Sequence, residues 1–218
     1  MRLILALMLT TTPAWTEVTT TLDPTAAANP GAVALYLQAN ALYALGQTAQ
    51  DPLTVLTAAR LLRGLTLTDT ALTDTARTPD PAPKAATPLT PLDPQTLLNT
   101  ARTLDVGQNY TDLTEQVATE TQPKPQALRA TAATLAPTAT QTWTLSFFGG
   151  TYAELAILGA GKGNLDLLVT DATGNQICLD KGSADTALCG FTLRDNGTVI
   201  VTVTNTGATQ DSYTLLTN

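Results

Sequence analysis

The sequence predicts an α+β protein of two domains, in which helical hairpins precede an antiparallel β-sandwich of about seven strands. Before residue 136, apolar residues recur at three- and four-residue steps, the spacing of an amphipathic helix. After Pro137 the period changes to two, in short runs separated by Gly, Asn and Asp. About a fifth of the chain is Thr, which favours strands and turns over helix interiors.

The first 16 residues have the pattern of a secretory signal peptide. One arginine precedes the apolar run Leu3 to Leu9, and small and turn-forming residues follow, with cleavage expected near Ala14 or Thr16. An N-terminal strand or helix of the mature fold is the alternative interpretation. No later segment approaches about 18 unbroken apolar residues, the length that crossing a bilayer requires. We therefore expect an exported protein, periplasmic or extracellular, without a membrane span.

Residues 17–136 form the predicted helical domain. The segment NPGAVALYLQANALYALGQ predicts a first helix bounded by Pro30 and Gly46. A second helix is expected to begin at Asp51-Pro52, the signature of an N-cap followed by a first-turn proline, and to end at Gly64. Further helices are predicted for residues 111–120 and 125–136, which would complete a small bundle.

The second helix has a partial copy about 42 residues later in the chain. DPLTVLTAARLL from Asp51 and DPQTLLNTARTL from Asp93 share seven residue positions in register. This offset suggests helical-repeat ancestry, although any two capped Ala/Leu-rich helices look alike, so both interpretations stay open. The intervening residues 65–92 are rich in Thr and Pro, and we predict a long mobile loop that serves as a spacer.

Residues 137–218 form the predicted β-sandwich. Seven short runs of alternating β-forming residues are separated by turn residues: TWTLSFF, YAELAIL, LDLLVTD, NQICLD, ALCGFTL, TVIVTVT and DSYTLLT. The segment GAGKGN, residues 159–164, follows a strand but lacks Gly-Lys-Ser/Thr, and the residues after it alternate like a strand. It is therefore predicted to be a hairpin turn and not a phosphate-binding loop.

Residues of three strands and of the turns beside them carry a resemblance to a known family: Asp166, Leu167, Val169, Asp171, Gly174, Asn175, Asn205, Gly207, Tyr213, Thr214 and Leu215. With these residues the C-terminal part, from about Thr142 to Asn218, resembles the bacterial pre-peptidase C-terminal domain, a secreted β-sandwich module. The resemblance implies an accessory role, such as binding protein or polysaccharide surfaces, and not catalysis. Some relatives bind calcium through acidic loops, but the corresponding turn here contains Lys162 among glycines.

Charge and composition exclude several classes of function. The net charge of −7 leaves no basic face for nucleic acid, and the absence of histidine removes the commonest general base and metal ligand. The sequence thus predicts a non-catalytic binding protein without a cofactor, whose partner is a protein or polysaccharide surface. The alternative is an exported hydrolase that uses carboxylates. Its candidate residues are Asp166, Asp180, Asp185 and Glu154, and a Lys181/Ser183 pair is a further candidate.

Calcium is the one cofactor that the sequence leaves open. A tight calcium site collects six to eight oxygen ligands from converging carboxylates and carbonyls. Weak candidate ligands are present on strands and turns of the predicted sandwich, and nothing in the sequence forces them to converge. We therefore expect any affinity to be weaker than about millimolar. These candidates are Asp166, Asp171, Asp180 and Asp185.

Cys178 and Cys189, the only two cysteines, are predicted to form a structural disulfide. In an oxidising compartment an isolated pair usually bonds, and no further Cys or His exists to complete a zinc site. Folding this segment about Ser183 and Ala184 into a hairpin would place the two cysteines directly opposite each other. The predicted disulfide therefore crosses a β-hairpin.

Overall fold

The computed structural model describes residues 22, 31–69, 74–78, 92–121, 125–161 and 163–218. The predicted signal peptide, residues 1–16, lies outside these residues. Four helices occur in the described part: α1 (Ala32–Ala49), α2 (Pro52–Arg63), α3 (Pro94–Leu104) and α4 (Thr111–Thr119). Ten strands accompany them: β1 (Leu65–Asp69), β2 (Asp74–Thr78), β3 (Gln126–Leu135), β4 (Thr140–Phe147), β5 (Tyr152–Gly159), β6 (Leu165–Asp171), β7 (Gln176–Asp180), β8 (Thr186–Thr192), β9 (Gly197–Asn205) and β10 (Asp211–Thr217).

The strands form two five-stranded sheets. Sheet I has the order β1-β3-β10-β5-β8, and sheet II has the order β2-β4-β9-β6-β7. Strands β1 and β3 pair in parallel, whereas the other neighbours pair antiparallel. The predicted α+β class is confirmed, and the seven runs predicted after Pro137 are the strands β4 to β10.

The space between the sheets is filled by an apolar core. Along β6, Leu165, Leu167 and Val169 are buried and alternate with partly exposed residues, as expected for a strand with one covered face. Two hydrogen bonds cross this core and join Tyr213 of sheet I to two residues of β4 in sheet II. The Trp143 indole N–H donates to the Tyr213 hydroxyl (3.0 Å), which donates to Gln141 Oε1 (2.7 Å).

The helices cover the outer face of sheet I. Their apolar side chains form a second core with Leu128, Ala130, Ala156 and Leu216, which point outward from β3, β5 and β10. Strand β10 is therefore covered on both faces, and each of its seven residues is buried.

Aspartates begin two of the helices, as the sequence predicts. The carboxylates of Asp51 and Asp93 each accept hydrogen bonds from the backbone N–H groups two and three residues further on. Each also accepts a hydrogen bond from a hydroxyl, of Thr54 and Thr96 respectively, and this bond lowers the pKa of the aspartate. The helical-repeat ancestry of these two segments stays a prediction.

The end of α1 differs from the prediction. The helix continues past Gly46 to Ala49, and Gly46 is buried where α2 approaches it. A β-carbon on Gly46 would lie 2.7 Å from a methyl group of Val55 and 2.9 Å from its backbone nitrogen. This glycine therefore permits close helix packing and does not end the helix.

Two predictions for the middle of the chain are wrong. Residues 125–136 were expected to be helical, but 126–135 form β3, which pairs with β1 on one side and β10 on the other. The alanines of this segment favour a helix locally, and tertiary pairing overrides that preference. The predicted loop 65–92 contains two strands, of which β1 is an edge strand of sheet I and β2 is an edge strand of sheet II. The remainder of that loop, residues 70–73 and 79–91, lies outside the described residues.

Candidate functional site

Glu154, one of the predicted candidate carboxylates, caps helix α1 from β5. Only 1% of its surface is exposed, and it accepts hydrogen bonds from the backbone N–H groups of Gly31 (2.8 Å), Val33 (3.0 Å) and Ala34 (3.0 Å). Gly31 has no side chain that could cap the helix, and a β-carbon there would lie 2.5 Å from a carboxylate oxygen. Glu154 thus takes the place of an N-cap residue and joins the helical layer to sheet I.

Asp171 holds the turn between β6 and β7. Its carboxylate accepts hydrogen bonds from the backbone N–H groups of Thr173 and Asn175 and from both of their side chains, at 2.7–2.9 Å. Gly174 follows with φ of +92°, which a residue with a side chain rarely adopts. The acidic residue of this turn therefore has a structural role.

The other three calcium candidates lie toward the opposite end of the sandwich. Asp166 is partly exposed on β6, and Asp180 accepts a hydrogen bond from Gly182 N–H (2.9 Å). Burial and the nearby Asp211 carboxylate raise the pKa of Asp185. Within the described residues, no three His, Cys, Asp or Glu side chains come together as a metal site would need. Weak calcium binding stays a prediction.

The segment 159–164 is not a hairpin turn, because the strands on either side of it belong to different sheets. Gly159 ends β5 in sheet I, and Leu165 begins β6 in sheet II. Lys162 lies outside the described residues. The segment therefore connects the two sheets at the end of the sandwich where Asp185 and Asp211 lie.

The predicted hairpin between the cysteines is also wrong. Strand β7 pairs with β6, where Cys178 lies opposite Val169, and β8 pairs with β5, where Cys189 lies opposite Leu155. The two cysteines therefore belong to different sheets. Both are free thiols in this structure. The interaction between the two thiols lowers the pKa of Cys178 and raises the pKa of Cys189, whose burial raises it further.

An aromatic cleft, absent from the sequence-based prediction, lies at the Asp171 end of the sandwich. Phe148 is 76% exposed, and two depressions of about 290 and 350 Å³ adjoin it and share Ser146, Phe147 and Phe148. We call this surface the Phe148 cleft. Its further lining residues are Arg129, Thr151, Tyr152, Ala153 and Asn218 in the first depression, and Asn196, Gly197 and Thr198 in the second.

The exposed phenyl ring is carried by a tightly held turn. Phe147 packs edge-to-face on Phe191 with ring centroids 5.2 Å apart, which anchors the end of β4 in the core. Gly149 N–H donates to Asn196 Oδ1 (2.9 Å), and a β-carbon on Gly149 would lie 2.4 Å from the backbone of Asp195. Only glycine permits this approach, so the backbone beside Phe148 is fixed before any ligand arrives.

Polar groups surround the ring. Asn218 accepts a hydrogen bond from Glu154 N–H through its Oδ1 (2.8 Å), which leaves its side-chain amide N–H groups for other partners. Tyr152 lines the first depression, and burial and the neighbouring Glu154 carboxylate raise the pKa of its hydroxyl, which lies against Gly190. Arg129 and Ser146 complete the wall of the first depression. The cleft thus combines one apolar platform with hydrogen-bonding groups around it.

The sequence contained a signal for this site. In the run TWTLSFF the side chains alternate between the two faces of β4, and Trp143, Leu145 and Phe147 belong to the core. A second phenylalanine directly after Phe147 must leave that face. Two glycines follow it, which predicts a turn and therefore an exposed ring.

A further depression lies between α2 and α4. It has a volume of about 140 Å³ and is lined by leucines together with the Arg60–Glu120 ion pair, whose shortest N–O distance is 2.9 Å.

None of the four helices in the described part has the combined length and apolarity needed to cross a bilayer.

The chain matches no protein-family model and no curated protein. Among solved structures, its β-sandwich is similar to the pre-peptidase C-terminal domain of collagenase from Bacillus anthracis, with 11% identity, a TM-score of 0.35, and coverage of 40% of this chain and 88% of that one. It is also similar to PliG, a periplasmic inhibitor of g-type lysozyme from Aeromonas hydrophila, with 15% identity, a TM-score of 0.32, and coverage of 42% of this chain and 84% of that one. A third similar structure is the carbohydrate-binding module CBM36 in complex with calcium and xylotriose, with 11% identity, a TM-score of 0.23, and coverage of 40% of this chain and 87% of that one.

The first of these similarities agrees with the resemblance predicted from the sequence.

Proposed function

We propose that the protein is an exported, non-catalytic binding protein that holds a polysaccharide at the Phe148 cleft. The observation that carries the proposal is the exposed phenyl ring, fixed by a glycine turn and surrounded by amide and hydroxyl groups. Small-ligand sites combine an apolar wall with a few placed polar groups. A sugar ring has an apolar face that can lie on the phenyl group and hydroxyls that can bond to the polar rim.

The composition of the cleft favours a polysaccharide over a protein partner. A stable protein interface buries about 800 Å² on each partner and contains a central apolar cluster. Here a single phenyl ring is strongly exposed, and Ser, Thr, Asn and Arg side chains line the two depressions beside it, which suits a narrow chain of hydroxylated rings.

The same lining argues against hydrolysis at this site. Glycoside cleavage needs a pair of carboxylic acid side chains, and neither depression is lined by an Asp or Glu. Of the residues predicted for a carboxylate hydrolase, Glu154 is buried beneath the start of α1. Export is supported by the signal-peptide pattern of the first 16 residues.

Affinity electrophoresis against a panel of soluble neutral and acidic polysaccharides tests the proposal, with titration calorimetry for any that retard the protein. We expect Phe148→Ala to weaken binding about tenfold or more and Phe148→Trp to preserve it. Val106→Ala is the matched control, because Val106 is 90% exposed but lies between α3 and α4.

Three outcomes would contradict the proposal. The wild-type protein could bind no polysaccharide of the panel, Phe148→Ala could bind as tightly as wild type, or Val106→Ala could lose as much affinity as Phe148→Ala. Binding of a protein ligand in the same assay, abolished by Phe148→Ala, would assign the cleft to the protein class instead.

A further inference from the structure

Cys178 and Cys189 lie on edge strands of opposite sheets. Strand β7 is the last strand of sheet II, and β8 is the last strand of sheet I. Although they do not pair, these two strands are in contact along one side of the sandwich. The open edges of the two sheets therefore meet on the side where the cysteines lie.

Both cysteines face the space between the sheets. Residues directly opposite each other in an antiparallel pair point to the same face. Cys178 lies opposite Val169 and Cys189 lies opposite Leu155, and both of these partners are completely buried in the core. Cys189 belongs to that core, and Cys178 packs against it. The pairing alone thus directs the two side chains toward each other.

We propose that Cys178 and Cys189 form a disulfide that links the two sheets and closes this side of the sandwich. The proposal rests on the export proposed above, since an oxidising compartment preserves such a bond. Because β7 and β8 are in contact and each thiol alters the pKa of the other, the two sulfur atoms lie near each other, as a disulfide requires.

The oxidant is a disulfide, either of a thiol–disulfide oxidoreductase or of a small molecule. Cys178 is the attacking group, because it is partly exposed and its pKa is lowered, whereas Cys189 is buried. The Cys178 thiolate attacks one oxidant sulfur, forming a mixed disulfide and releasing the other as a thiolate. The Cys189 thiolate then attacks Cys178 Sγ and releases the second thiol. Two electrons and two protons pass to the oxidant in total.

The test uses the full chain in buffers of reduced and oxidised glutathione, followed by an acid quench, denaturation and alkylation without reductant. Denaturation before alkylation keeps the buried Cys189 thiol from being mistaken for a bonded one. We expect about nine tenths or more of the molecules to be monomers that take up no alkyl group in oxidising buffer. Their intact mass should be lower than that of the reduced form by two hydrogen atoms, and a single peptide should join the two cysteines.

Thermal unfolding of the oxidised and reduced forms measures the consequence. Closing a loop of about 12 residues should raise the midpoint by roughly 5–10 °C, and the Cys178→Ser/Cys189→Ser double variant should not respond to oxidant. Since the main comparison uses one wild-type chain in two redox states, it does not depend on a variant that folds.

Two alkylated thiols in oxidising buffer, disulfide-linked dimers, or equal midpoints for the two forms would overturn the proposal. None of these readouts involves the Phe148 cleft, so a failed disulfide leaves the proposed binding function standing. A failed polysaccharide assay likewise leaves the disulfide standing.

Discussion

Replacement of Glu154 by alanine should destabilise the protein by about 3 kcal/mol. Three backbone N–H groups at the start of α1 would lose a charged acceptor that lies 2.8–3.0 Å away. Hydrogen bonds to charged groups contribute about 1.5–3 kcal/mol each. Part of that sum offsets the cost of burying the carboxylate, and loss of an N-cap alone costs about 0.5–2 kcal/mol. These opposing terms leave a net loss of about 3 kcal/mol.

Urea unfolding followed by circular dichroism measures this loss. Glu154→Gln should fall between wild type and Glu154→Ala, because one oxygen still accepts while the new NH₂ group opposes the backbone N–H groups. Glu120→Ala is the control, since it removes a partly exposed glutamate that pairs with the exposed Arg60 and should cost far less.

Equal losses for Glu154→Ala and Glu120→Ala would refute the assignment of Glu154 as the cap of α1. A Glu154→Gln variant as stable as wild type would refute the contribution of the negative charge.

Three other predictions concern the core and the helices. Tyr213→Phe should cost about 2–3 kcal/mol in chemical denaturation, because it leaves the buried indole N–H of Trp143 without its acceptor; a loss below about 0.5 kcal/mol would contradict this. Gly46→Ala should lower the thermal midpoint, since its methyl group would collide with Val55; an unchanged midpoint would mean that α1 and α2 separate freely. Asp93→Asn should destabilise the protein near neutral pH but not well below 3.8, the ordinary Asp value, because a carboxyl with a lowered pKa contributes stability above that value and loses it as pH falls. Thermal midpoints of wild type and Asp93→Asn, measured near neutral pH and well below pH 3.8, test this prediction. An equal lowering of the midpoint at the two pH values would contradict it.

Local sequence signals predicted the elements that depend on neighbouring residues. The Asp51-Pro52 and Asp93-Pro94 starts of α2 and α3 are caps whose donors lie within three residues. Strands β6 and β9 follow from alternation of side chains within each run, because one face of each is buried. For these elements, the physical cause of the structure is contained in a short segment.

The features that sequence reasoning missed depend on residues far apart in the chain. The cap of α1 is supplied by Glu154, more than a hundred residues after the helix begins. Alternation predicts a strand but not its partner, which is why β7 and β8 were assigned to one hairpin although each pairs within a different sheet. The resemblance to a secreted module rested partly on Asp171 and Tyr213, which hold a turn and the core. Such residues predict a fold without indicating a ligand.

The position of β10 has a consequence for when the protein can fold. This strand lies near the end of the sequence, yet it occupies the centre of sheet I between β3 and β5. During synthesis α1 and α2 can form as local helices, but sheet I stays divided until residues 211–217 have emerged. Until then β3 and β5 are not joined by β10, and the helices lack the complete sheet surface against which they pack. Assembly of the sandwich therefore waits for a strand that follows β3 and β5 by many residues in the sequence.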